Sequence, residues 1–151
     1  MNIPPEKLHE LLTYCTEFAE TMLKDSEEFY PFGAVLNSNL QVTTVGAHIG
    51  EEHPNPGELY QLLGKTFIQQ ARNCEIVGAA IACNVNIPSE YDPPVSDGVR
   101  VHLESEGYSR YIYVPYKIKS KGIFKKVNTV IFLEPIAVGI DASIFGSTKN
   151  A

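Results

Sequence analysis

No run in this sequence approaches the ~18 uninterrupted apolar residues of a membrane span. The opening residues Met1, Asn2, Ile3, Pro4, Pro5 and Glu6 lack the basic and apolar regions of a secretory signal. A cytoplasmic chain with no membrane partner is the expectation. Cysteine is scarce. Cys15, Cys74 and Cys83 are odd in number and form no Cys-x-x-Cys pair, which speaks against a disulfide framework and a zinc knuckle and for reduced thiols packed on apolar faces. Basic residues are few, 12 Lys and Arg against 18 Asp and Glu, and a formal charge of −6 argues against a general nucleic-acid binder. Gly-x-Ser-x-Gly, a Gly-rich phosphate loop and a dinucleotide fingerprint are all missing.

What is present is a chain of 151 residues, 44% hydrophobic and 20% charged, enough for one α+β domain over residues 1–151. A domain of this size buries roughly 70% of the surface its unfolded chain exposes, so neither metal nor disulfide is required for folding. The charge is unevenly spread. Residues 1–58 hold ten acids against Lys7 and Lys24, a net of −8, whereas residues 117–126 hold five lysines and no acid. A dipolar molecule follows.

Pro4 and Pro5 suit a first helical turn, and Leu8, Leu11, Leu12, Cys15, Phe18, Ala19, Met22 and Leu23 form an amphipathic stripe. Tyr30 before Pro31 is biased to extended geometry and ends the helix by about Phe29. A β-hairpin follows over 32–49, with Asn37-Ser38-Asn39 as turn. Asn55 caps a second helix with Pro56 at its first position, and Leu59, Leu62, Leu63, Thr66, Phe67, Ala71 and Cys74 keep its period. Gly64 inside it marks a close crossing over the sheet.

Residues 76–87, rich in glycine and alanine, read as a central strand, and a long proline-containing loop leads to three more. Val99, Val101 and Leu103 alternate with Arg100, His102 and Glu104. Then Ile112, Val114, Tyr116 and Ile118 alternate with Tyr111, Tyr113, Lys117 and Lys119, and a final strand runs over 123–134. The order is α-β-β-α-β-β-β-β. A two-layer α+β fold is predicted, with an antiparallel sheet of about six strands and both helices on one face, the connectivity of profilin-like and roadblock-like domains. The apolar tail Ile136, Val138, Ile140, Ile144 and Phe145 docks on the core or covers a partner chain.

Two constellations stand out. His48-Ile49-Gly50-Glu51-Glu52-His53 clusters metal-type ligands, but its histidines are five apart with Pro54 behind, not the four of a helical zinc motif. It supports, as the second reading, a small metal-dependent hydrolase. Arg100, His102, Glu104, Tyr111 and Tyr113, joined by Glu51 and Glu52, compose a partner-binding face, since Arg and Tyr are enriched at interface hot spots. No catalytic set, metal site or cofactor is assigned.

Phe29-Tyr30-Pro31-Phe32-Gly33-Ala34, the helix-then-hairpin start, and Asp97-Gly98-Val99-Arg100-Val101-His102-Leu103-Glu104 resemble segments of small acidic bacterial proteins, some of them immunity proteins of polymorphic toxin systems. The resemblance implies a cytoplasmic, non-enzymatic protein-binding role, with a basic toxin or effector as partner. It carries over no functional residue.

Overall fold

The computed structural model describes residues 3–46, 55–125 and 127–146. Helix α1 (Pro5–Ser26) begins on its proline and ends where Glu27 turns left-handed, its N–H donating to the Leu23 carbonyl. Its buried residues, Leu11, Cys15, Ala19 and Leu23, recur every fourth position and so form one line. Helix α2 (Pro56–Arg72) is capped as its sequence dictates: the Asn55 side-chain oxygen accepts from the backbone N–H groups of Gly57 and Glu58 at 2.8 and 3.2 Å. Leu59, Leu63, Phe67 and Ala71 make its buried line.

The strands are β1 (Phe32–Asn37), β2 (Val42–Val45), β3 (Ile76–Asn86), β4 (Asp97–Ser105), β5 (Tyr108–Lys121), β6 (Val127–Phe132) and β7 (Ile136–Gly139). They form an antiparallel sheet in the order β2-β1-β3-β4-β5-β6, with β7 also paired to β5. The class, the antiparallel pairing and the α-β-β-α-β-β-β-β order agree with the sequence reading. The tail adds a seventh strand, and Ile144 and Phe145 lie in the core.

The layering differs. Ala80 and Ala82 of β3 join Leu11, Cys15, Ala19 and Leu23 in one apolar cluster, while Ala79, Ile81 and Cys83 join Leu63, Phe67 and Ala71 in another. Successive side chains of a strand point to opposite faces, so the two helices cover opposite faces of the sheet rather than sharing one. The cause lies in β3 itself: both of its alternating sets are apolar, so a single helical layer would leave one set in water. Gly33 permits the close approach on the α2 side, because a Cβ there would come within 2.5 Å of Phe67 Cζ. Gly64 marks no crossing; a Cβ there would meet nothing within 4 Å.

Two further local expectations are corrected. The last turn of α2 closes with the Glu75 N–H on the Gln70 carbonyl and the Cys74 N–H on the Ala71 carbonyl, which places Cys74 at φ 58° in the left-handed position after the helix. Cys74 is therefore exposed rather than packed. Strand β6 begins at Val127, leaving Ile123 and Phe124 at 94% and 101% exposure on the tip of the β5–β6 hairpin. Pairing of β4 with β5 stops at Gly98 opposite Pro115, so Tyr116–Lys121 of β5 pair with β6 alone.

Candidate functional site

Register brings the sequence-predicted residues together. On β4, Arg100 lies opposite Tyr113, His102 opposite Tyr111 and Glu104 opposite Ser109 of β5; on the other side the same three residues face Cys83, Ile81 and Ala79 of β3. Strand parity puts Arg100, His102, Glu104, Tyr111 and Tyr113 on the face that α2 covers. Glu51 and Glu52, and the whole His48–His53 segment, lie outside the described residues. Among the described residues no group of three His, Cys, Asp or Glu is placed to hold a metal ion.

The row is not an open binding face. Glu104 is fully buried, and His102 and Tyr113 are 4% and 5% exposed. Glu104 accepts hydrogen bonds from Ser109 Oγ at 2.9 Å and from the backbone N–H groups of Ser143 and Ile144, both at 2.7 Å. His102 Nε2 sits 3.5 Å from Glu104 Oε2, and its Nδ1 is 3.1 Å from the Tyr60 hydroxyl on α2. Burial opposes the charged form of Glu104, but His102 and the two N–H groups prevail and hold its carboxyl below the usual range. This carboxylate fastens the C-terminal segment to the sheet, a structural role that the sequence reading assigned to recognition.

Tyr60, His102 and Glu104 lie in a row, but the Tyr60–His102 contact is a hydrogen bond while His102 Nε2 closes none among the described residues, and the chemistry of an acid–base relay is not supported. Burial, together with the neighbouring Tyr111, pushes the Tyr60 phenol well above its ordinary value, so near neutral pH it holds its proton. Cys83 is likewise raised by burial, against the pull of Arg100, and is a poor nucleophile.

Arg100, like Tyr60, Tyr91 and Tyr111 around it, is only partly buried, unlike His102 and Glu104 on its own strand. Its guanidinium carbon stands 4.5 Å from the ring centroid of Tyr111 and 5.3 Å from that of Tyr60. Tyr111 meets Tyr113 edge-on at 6.2 Å between centroids, and Tyr113 meets Tyr91 at 5.5 Å. Four tyrosines thus gather around one arginine. Tyr60 and Tyr91 are not marked out by the sequence, which reads Cys83 only as a packed thiol. The Cys83–Arg100 pairing follows from strand register, but Tyr60 and Tyr91 reach the site from a helix and from the 3-10 turn Ser89–Tyr91, whose docking no local pattern announces.

A second feature lies on α1. Glu6, Glu10, Glu17, Asp25, Glu27 and Glu28 are exposed, and among the described residues the ion pairs formed there are Lys7–Glu10 at 3.1 Å and Lys24–Glu20 at 3.8 Å. Asp25, Glu27 and Glu28 crowd the C-terminal end of the helix, where the helix dipole already presents negative charge.

Comparison with known proteins gives no match to any family model, curated protein or solved structure. No helix among the described residues is long and apolar enough to cross a membrane.

Proposed function

We propose that this chain is a non-enzymatic protein-binding module, of the kind that neutralises a basic toxin or effector, and that it recognises its partner through the acidic surface of α1. The observation that carries the reading is the placement of Asp25, Glu27 and Glu28 at the negative end of α1, exposed and without an ion pair among the described residues. Carboxylates at a helix C-terminus repel the helix dipole and gain nothing locally. Their retained field accelerates encounter with a cationic surface. The raised Tyr60 and Cys83 support the non-enzymatic half of the reading.

Capture experiments with immobilised protein at low and high salt test it. A basic partner retained at low salt should be released as salt rises, and a Glu17→Lys, Asp25→Lys, Glu28→Lys variant should not retain it. Equal capture of the same proteins by wild type and the charge-reversed variant overturns the proposal.

A further inference from the structure

A cation withdrawn from water needs a counter-charge or acceptors for its N–H groups. Arg100 has neither in full. Its charge is not lost at any accessible pH, and among the described residues its charged and polar neighbours are Cys83, Tyr60, Tyr111 and Tyr113, with no carboxylate among them. Glu104, two residues along the strand, already serves Ser109, Ser143 and Ile144. The rings of Tyr60 and Tyr111 attract the flat face of the guanidinium, but they offer nothing to donors that radiate from its edge. Of those donors, Nε is buried with no acceptor among the described residues, Nη2 meets the Cys83 sulfur at 3.9 Å, and the Tyr113 hydroxyl is the one oxygen acceptor beside the guanidinium among those residues.

We propose that Arg100 is a receptor for one oxyanion group, carboxylate or phosphate, of a ligand that seats against Tyr111 and its neighbouring tyrosines. The fork of a guanidinium matches two oxygens of such a group. Aromatic contacts hold that fork in place beforehand, so little side-chain freedom is lost on binding. The site is separate from the acidic surface of α1 and stands whether or not that surface binds a basic partner.

The chain contains three arginines, Arg72, Arg100 and Arg110, so the side-chain Nε–Hε signals of 15N-labelled protein give a direct reading. Arg110 is an internal control, since its Nη1 already donates to the Ser109 carbonyl at 2.8 Å and its guanidinium lies over Tyr108. Sodium phosphate and sodium acetate are titrated separately, with sodium chloride holding ionic strength constant. The Arg100 signal is expected to shift saturably, with a midpoint on the order of millimolar, while those of Arg72 and Arg110 drift without saturating. Saturation by phosphate alone identifies a phosphate ligand, by acetate alone a carboxylate ligand, and by both a site for either. Arg100→Lys, which keeps the charge and loses the fork, should raise the midpoint about tenfold, followed in wild type and variant alike by the backbone amide signals of Cys83 and Tyr111. If the Arg100 signal follows those of Arg72 and Arg110 with both anions, the proposal fails.

Discussion

The carboxylate of Glu104, in the middle of the sheet, accepts the backbone N–H of Ile144 at 2.7 Å, joining positions 40 residues apart. With the parallel bond from Ser143 and the burial of Ile144 and Phe145, it is the device that closes the C-terminal segment over the sheet. Glu104→Gln should therefore destabilise the protein by about 2 kcal/mol, because hydrogen bonds to a charged acceptor are replaced by weaker ones. The pH dependence has a definite sign. A carboxyl held below 4.5 in the folded state contributes stability that is complete above that value and is lost as pH falls through the lower, folded value. Denaturant midpoints measured from neutral to acid pH should fall more steeply below about pH 4.5 in wild type than in Glu104→Gln.

Adjacent alanines of β3 test the three-layer arrangement. Ala79 and Ala80 are each 0% exposed but belong to different apolar clusters, one under α2 and one under α1. Leucine at either position should cost about 1–3 kcal/mol or more by overpacking. Were both helices on one face, only one of the two substitutions would lower the thermal midpoint.

Gly33 and Phe67 should behave as a coupled pair. The methyl of Gly33→Ala would need the space now held by Phe67 Cζ at 2.5 Å, with the Ala80 carbonyl oxygen at 3.2 Å behind it. A loss of roughly 1–3 kcal/mol is expected for Gly33→Ala. Phe67→Leu is destabilising alone but gives the methyl room, so the double variant should be more stable than the sum of the single losses allows.

Cys74 occupies a left-handed position for which glycine is the usual residue. Cys74→Gly should stabilise the protein by about 1 kcal/mol, seen as a higher denaturant midpoint. Thiol labelling of the native protein should show Cys74 reacting first. Burial raises Cys15 to about 12 and also raises Cys83, so both should stay unmodified until the chain opens.

How far the fold could be read from the sequence depended on how local the cause was. Asn55 caps α2 and Pro31 precedes β1 because a side chain acts on a backbone a few residues away. Alternation alone placed Arg100, His102, Tyr111 and Tyr113 on one face. Which helix covers that face is not local information, so His102, Glu104 and Tyr113 read as a surface while Tyr60 and Ser143 in fact close over them. Cys74 misread for a related reason: its apolar character continues the helix period, but the helix ends at Arg72 and the left-handed backbone of Cys74 itself takes it out of the stripe. Ile123 and Phe124 favour strands by composition, yet the turn leaves them at its apex.

Strand β5 carries two partners on one edge, β7 along Arg110–Tyr113 and β6 along Tyr116–Lys121, but β4 supports it only as far as Pro115. Its two ends therefore belong to different opening events. The outer part can lose its cross-strand bonds when the hairpin parts from α1, to which Val130 and the Asn128 Nδ2 bond to the Lys24 carbonyl hold it, whereas the inner part is released only when the centre of the sheet comes apart. In hydrogen-exchange terms a single strand acquires two lifetimes. The arm that bears Ile123 and Phe124 is able to rearrange around whatever it touches without disturbing the layer in which Arg100 and Glu104 are set.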